Sequence, residues 1–452
     1  MNQKSTSAPI AENKMGTMPV GRLVLNMSLP MMISMLVQAL YNIVDSVFVA
    51  MLSENALTAV SMAFPLQTLL IAVGAGTGVG MNALLSKSLG EKNFKKADRT
   101  ASNAAFLYGL SYLVFLILGF TVVKPFYASQ IKGADAEIME MGIEYLRTVM
   151  IFSFGLLAQI YFERLLTSTG KTLFSMTSQL CGALTNIILD PIMIFVLGWG
   201  AAGAATATVI GNVCTDIFFV WFLIKKSKNL SVDPRGFHIS RSEIGAVFAI
   251  GIPASVTNLM QSIGIALTNR ALLGFGDDKV AAMGIVMKIN MIAALVLVGF
   301  AFGGQPLTGY NYGARNRTRL KATLKFAYLL EGGMALVLMA VLGFFAPQMV
   351  KIFMSDPSVV ENGALMLRLQ LAGMLCMGIV LISTCTFQSA GQAMGAFLLS
   401  VSRQGVVFAV VLMIALKVAG YYGVLASQAI SDFLTAVLAV VLVWRWWKKV
   451  DF

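Results

Sequence analysis

The chain has 452 residues, 58% of them hydrophobic and only 12% charged, with a mean hydropathy of +0.79. A water-soluble globule of this length cannot cover so much apolar material, so the composition describes a multi-span membrane protein, and its short polar intervals leave no room for a catalytic domain outside the bilayer. The formal net charge of +12 does not point to nucleic acid, because the basic residues cluster between apolar runs, where they act as topology signals.

Residues 1–22 are polar and lack a signal-peptide pattern, since the first apolar run is too long and has no small-residue cleavage site. That run, from about Leu23 to Leu52, carries Gln38, Tyr41, Asn42 and Asp45 at i, i+3, i+4 and i+7. The spacing puts all four on one helical face. A charged Asp near the bilayer centre costs roughly 2.5–3.5 kcal/mol on insertion scales. It needs water, a partner or a bound cation. Two readings follow: a packing hydrogen bond between helices, or a cation or proton site.

Twelve spans are expected, at about 24–50, 56–86, 101–123, 141–166, 172–197, 200–224, 245–272, 280–310, 322–346, 364–390, 395–418 and 422–447. Pro30, Pro65, Pro191, Pro253 and Pro306 fall within or near spans and are expected to bend them. Gly74, Gly76, Gly78 and Gly80 alternate inside the second span. A phosphate-binding loop needs a preceding strand, so close helix packing through small residues is the expected role.

Lys and Arg gather in alternate intervals, as in Lys87 to Arg99, Lys225 to Arg241 and Arg315 to Lys325, and again at Arg445, Lys448 and Lys449. The other intervals are short or acidic, as in Asp135, Glu137 and Glu140, or Asp277 and Asp278. Both termini are therefore expected in the cytoplasm. Cys181, Cys214, Cys376 and Cys385 all lie in apolar segments with no CxxC, and the single His238 is in a polar linker. Neither a disulfide framework nor a structural metal site is expected.

The halves repeat. A shift of 223 residues places Pro30 on Pro253, Gln38 on Gln261, Gly76 on Gly299, Gly80 on Gly303, Gly90 on Gly313 and Asn93 on Asn316. The shift falls to 221 for Leu146-Arg147 with Leu367-Arg368 and for Gly170 with Gly391. It is 220 for Gly200 and Gly203 with Gly420 and Gly423. A repeat of six spans keeps one orientation, so the halves are expected around an axis along the membrane normal with a cavity between them. The expected units are a tail at 1–22, an N-lobe at 23–224, a linker at 225–243, a C-lobe at 244–447 and a tail at 448–452. The repeat breaks at the acids: Asp45 maps onto Thr268, and Asn186 and Asp190 map onto Val407 and Val411. The acidic constellation is thus confined to the N-lobe. Glu163 beside Arg164 ends the fourth span and reads as an interfacial ion pair. Asp216, Lys288, Glu331 and Asp432 are further charges within spans.

Together, Asn42-Ile-Val-Asp45-Ser-Val-Phe-Val, Ala59-Val-Ser-Met-Ala-Phe64-Pro65, Gly90-Glu-Lys-Asn93, Asn186-Ile-Ile-Leu-Asp190-Pro191 and Gln305-Pro-Leu-Thr-Gly-Tyr-Asn-Tyr-Gly313 resemble the multidrug and toxic compound extrusion (MATE) family. The resemblance covers almost the whole chain and extends to the detail of the small bacterial multidrug members. It implies an all-α, twelve-helix, two-lobed antiporter of the bacterial plasma membrane. Such a protein exports cationic or amphipathic molecules in exchange for H⁺ or Na⁺, without a cofactor, and a monomer suffices. The resemblance also implies an N-lobe coupling site at Tyr41, Asp45, Asn186, Asp190 and Thr208, with Thr206 the alternative to Thr208 and Asp45 with Asp190 holding Na⁺ or H⁺. Gln38, Asn42, Gln261, Met287 and Glu163 are expected along the substrate cavity. The seventh helix offers Gln261 and the tenth has no acid near Gly378, which argues against a C-lobe Na⁺ site. The alternative function is a flippase for a lipid or lipid-linked saccharide, which would need more basic residues along the cavity than Lys288.

Overall fold

A computed structural model describes residues 13–130, 136–226 and 239–450. Asp135, Lys228, Arg235, His238 and most of the 225–243 linker lie outside the described residues, as do residues 1–12 and 451–452. Every regular element among the described residues is helical. The first half runs α1 (Lys14–Thr17), α2 (Val20–Leu52), α3 (Glu54–Gly90), α4 (Phe94–Thr121), α5 (Val123–Gln130), α6 (Ala136–Ile151), α7 (Ser153–Ser168) and α8 (Thr172–Pro191). A π-helical turn at Ile192–Val196 then leads to α9 (Gly200–Lys226). The second half runs α10 (Arg241–Leu273), α11 (Asp277–Gly313), α12 (Arg317–Phe344), α13 (Ala346–Lys351), α14 (Pro357–Ala372), α15 (Met374–Ala390), α16 (Ala393–Gln404) and α17 (Val406–Lys449).

Nine runs among the described residues are long and apolar enough to cross a membrane, and the bent pairs α6–α7 and α14–α15 raise the number to 11. The last run, Ala393–Lys449, has 57 residues. As a straight helix it would reach about 85 Å, nearly three times the hydrocarbon thickness. Gly420 breaks it, with φ 55° and ψ −126°, and Gly423 then lies against the Ala415 carbonyl. In one helix those two residues would be about 12 Å apart along the axis, so the chain doubles back.

The prolines do not break their helices. Pro30, Pro65, Pro253 and Pro306 sit inside the unbroken helices α2, α3, α10 and α11. Only Pro191 adjoins an irregularity, the π turn. The bends of 45° and 40° fall at Phe152 and Gly373. The reason is visible at Pro30. It has no N–H, so the Asn26 carbonyl loses its helical donor. Thr172 Oγ1 from α8 donates to that carbonyl at 3.3 Å instead, and the helix continues.

The repeat reappears in backbone geometry. Lys92 and Arg315 have φ 55° and 53°, and Gly200 and Gly420 both have φ 55°. Asn93 and Asn316 cap α4 and α12, accepting from the N–H groups of Lys96 and Arg319. The breaks at Phe152 and Gly373 are themselves 221 residues apart.

The halves meet through α3 on α10 and α2 on α11, the most extensive helix contacts among the described residues. Small residues permit the approach. A Cβ on Gly76 would come within 2.5 Å of the Gly251 carbonyl, and one on Gly299 within 2.7 Å of the Met32 Cα. Gly90 lies on the Tyr310 carbonyl and Gly313 on the Lys87 carbonyl, a reciprocal pair, since 87 and 310 are equivalent under the shift. Asn82 Nδ2 donates to Gln305 Oε1 at 3.2 Å, and these two residues are also equivalent, so the bond lies on the pseudo-two-fold axis. All these contacts fall near the ends of α3 and α11 that carry the basic connections. Toward the opposite end, residues 261–263 and 265–267 of α10 and much of 40–51 in α2 are exposed. The lobes are thus closed at the basic end and splayed at the other.

At the N-terminus α2 begins at Val20, inside the stretch expected to be a tail. Ahead of it α1 docks on the basic end, where Arg319 Nη2 donates to the Met15 and Met18 carbonyls at 3.1 and 2.9 Å. Ile224, Phe344 and Val418 are among many large apolar side chains left exposed, as befits a surface solvated by lipid.

Candidate functional site

The face of α2 bearing Tyr41 and Asp45 packs against α8, which in turn packs against α9. On α8, Asn186 and Asp190 are one turn apart and buried. Asn186 Nδ2 donates to Asp190 Oδ1 at 3.2 Å and to Thr208 Oγ1 of α9 at 3.3 Å. Asp190 and Asp45 interact electrostatically, and Tyr41 interacts with both, while Gln38 one turn earlier is in hydrogen-bonding reach of its hydroxyl. Asp45 Oδ1, Asp190 Oδ2 and Asn186 Oδ1 are buried and without hydrogen-bond partners among the described residues.

A cavity of about 10 Å³ opens here, lined by Tyr41, Gln159, Gln179, Asn186, Thr208 and their neighbours. That is roughly the space of one water. The three unpartnered oxygens are acceptors, so what completes the site is a donor or a cation: a proton shared with a carboxyl, or a small ion. No group of three or more His, Cys, Asp and Glu residues suited to a transition metal occurs among the described residues.

Of the two threonines weighed from the sequence, Thr208 is the one against Asn186. Thr206 Oγ1 bonds its own helix at the Ala202 carbonyl. Glu163 interacts electrostatically with Arg164 but forms no direct ion pair with it among the described residues. Consecutive helical residues point about 100° apart. Glu163 Oε2 instead accepts from Gln179 Nε2 at 2.8 Å, and Gln179 Oε1 accepts from Gln159 Nε2 at 2.8 Å, linking Glu163 to the small cavity. Arg164 stacks on Phe302 of α11, 4.7 Å from the ring centroid. Gln38 is half-buried, Asn42 and Gln261 are exposed, and Met287 packs at the edge of the C-lobe core.

Four residues of the site were missed from the sequence. Gln159 and Gln179 line the cavity. Tyr145 of α6 interacts electrostatically with Asp45 and Tyr41, and its hydroxyl accepts from Gln67 Nε2 of α3 at 3.0 Å. Each is a polar residue in an apolar span, which was the available signal. Among the other intramembrane charges, Asp432 pairs with Arg403 at 2.9 Å, Lys288 is exposed, and Asp216 Oδ1 and both Glu331 oxygens lack partners.

Comparison with known proteins agrees with this geometry. The MatE family model matches residues 30–192 and again 253–414. The chain belongs to this family. The two matched stretches begin at Pro30 and Pro253, the pair already related by the internal repeat. The multidrug export protein MepA of Staphylococcus aureus is 29% identical over 427 residues, with 94% of each chain covered. MepA of Staphylococcus haemolyticus is 28% identical over 423 residues, covering 93% of this chain and 92% of that one. A multidrug resistance MATE family transporter of the MOP superfamily, solved in an outward-facing conformation, superposes with a TM-score of 0.92 at 26% identity, covering 98% of this chain and 99% of that chain. The protein is therefore a multi-pass membrane protein of the MatE family, with the helical architecture of the MATE transporters.

Proposed function

We propose that this protein is a secondary multidrug antiporter that exports cationic or amphipathic molecules in exchange for protons taken up at Asp45 and Asp190. One observation carries the reading. Two carboxylates from different helices face one another in an otherwise apolar bundle, with oxygens that no protein donor satisfies. They cannot both hold charge cheaply in low dielectric. A proton on either supplies the missing donor, and an arriving cation is the alternative counter-charge. Proton and drug then compete for one pair of charges, which is the requirement for exchange. The names of the staphylococcal relatives support the substrate class. Na⁺ is a second reading, favoured by the three unpartnered acceptor oxygens of Asp45, Asp190 and Asn186.

The exposed faces of α2 and α10 opposite the basic connections support an outward-open reading, with the basic end cytoplasmic on the charge distribution. Alternating access is rocking of the two lobes, with the Asn82–Gln305 contact at their boundary. Exchange of one monocation for one proton moves no net charge, so ΔpH alone drives it, at about 1.4 kcal/mol per unit. A dication exported for one proton would also work against the membrane potential, at about 2.3 kcal/mol per 100 mV.

The test is binding of ethidium to the purified protein as a function of pH. Competition requires that affinity fall as pH is lowered, and that Asp45→Asn bind without this dependence. An equal pH dependence in both proteins would sink the proposal. A lipid-linked anionic substrate would instead compete with ethidium poorly and bind more tightly at low pH.

A further inference from the structure

One buried carboxylate takes no part in this site. Glu331 lies midway along α12, 1% exposed, and neither of its oxygens has a hydrogen-bond partner among the described residues. Its side chain is pressed against Gly378 of α15, where an added Cβ would come within 2.9 Å of Cγ. This is the point where the tenth span itself offers no acid. The titratable group facing it is Cys385 of α15, which interacts electrostatically both with Glu331 and with Arg164 of α7. No charged side chain from α2, α11, α13 or α14, the other helices packed on α12, interacts with it among the described residues.

The repeat makes the isolation more telling. A shift of 223 places Leu107-Tyr108-Gly109 on Leu330-Glu331-Gly332, and a shift of 221 places Arg164 on Cys385. In the N-lobe the Tyr108 hydroxyl donates to the Gly74 carbonyl at 2.7 Å. In the C-lobe Glu331 has no counterpart of that bond. It makes no ion pair and no hydrogen bond, so an apolar residue would serve packing better. An ionised carboxylate in such surroundings is untenable without a partner. A metal cation needs several further oxygen ligands, and none is hydrogen-bonded or paired with this group. The occupant that fits is a proton.

We propose that Glu331 is a second proton-binding site, in the C-lobe, loaded in the state described here and emptied when the lobes rock. Arg164 on the opposite lobe interacts electrostatically with Cys385, as Glu331 does, and with Glu163. Its Nε and Nη1 are likewise without partners, and its guanidinium lies on Phe302 at the lobe boundary. One proton is bound from the outside and the same proton is released inside, so charge and atoms balance over a cycle. With Glu331 the cycle can carry two protons, which makes export of a dication electroneutral. The proposal rests on the antiport reading above and deepens it.

The experiment measures the reversal potential of transport of the dicationic dye DAPI in proteoliposomes under a fixed ΔpH. Wild type should exchange two protons per DAPI, and Glu331→Gln one. Unchanged stoichiometry in Glu331→Gln would overturn the proposal. Infrared spectroscopy of the same two proteins reads the site without transport. The wild-type minus Glu331→Gln difference spectrum should show the C=O stretch of a buried protonated carboxyl, and its absence from that difference would also overturn the proposal. If Glu331→Gln does not fold, Glu331→Asp retains the carboxyl and should shift that band. If wild type moves no dye while the band is present, the antiport reading fails and the assignment of a proton to Glu331 stands.

Discussion

Asn186→Ala tests the N-lobe site through a single hydrogen bond. Asn186 Nδ2 donates to Asp190 Oδ1 at 3.2 Å and to Thr208 Oγ1 at 3.3 Å. The first bond favours the ionised carboxylate, since an N–H can only donate to it. Hydrogen bonds to charged groups contribute about 1.5–3 kcal/mol. At 1.36 kcal/mol per pH unit, deleting this one should move the half-maximal pH for proton release up by about one to two units. The sign follows because the substitution removes a stabiliser of the deprotonated form alone. The assay is ethidium export from proteoliposomes under constant ΔpH, with absolute pH varied on both sides. Thr208→Val is the control: it removes the competing acceptor and leaves the Asn186–Asp190 bond, so its midpoint should stay near wild type. A folded, active Asn186→Ala with an unmoved midpoint would refute the view that Asp190 exchanges protons.

Two further predictions concern the scaffold. Asn82→Ala and Gln305→Ala remove partners across the pseudo-two-fold axis, where Gln305 Nε2 also donates to Gln388 Oε1 at 2.9 Å and Ser168 Oγ to Asn82 Oδ1 at 2.8 Å. Each should cost about 1–3 kcal/mol, and a double-mutant cycle on thermal stability should give coupling of about 0.5–3 kcal/mol; strict additivity would dismiss the axial bond. Arg403→Met should destabilise by about 3–5 kcal/mol, because it strands buried Asp432 (side chain 4% exposed). Adding Asp432→Leu should recover most of the loss, and no recovery would mean that Arg403 acts through packing alone.

The cluster of Tyr41, Asp45, Asn186 and Asp190 was largely legible in the sequence because helices write their faces at a spacing of four. Tyr41 with Asp45 and Asn186 with Asp190 could be placed on common faces before any coordinates, and the break in the repeat at both pairs marked them as special. Choosing Thr208 over Thr206 needed the resemblance, since both are polar residues two apart on one helix. Gln159, Gln179, Gln67 and Tyr145 were hidden because nothing in the sequence pairs them across helices, and only the packing of α3, α6, α7 and α8 brings them together. Glu163 was read only in part: it interacts with its sequence neighbour Arg164, but its hydrogen-bond partner is Gln179 of another helix. The fold was legible through the repeat, which even anticipated the matched φ values at Gly200 and Gly420. The bends were not, because proline marks only where a backbone donor is missing. Whether a helix breaks depends on a distant residue such as Thr172 supplying a replacement, and the breaks at Phe152 and Gly373 carry no local signal at all.

The most direct test of the account is uphill export of ethidium from proteoliposomes, driven separately by ΔpH and by a Na⁺ gradient, in wild type and in Asp45→Asn. The account predicts concentrative export by wild type under ΔpH alone and none by folded Asp45→Asn under either gradient. Concentrative export that survives in Asp45→Asn would contradict it.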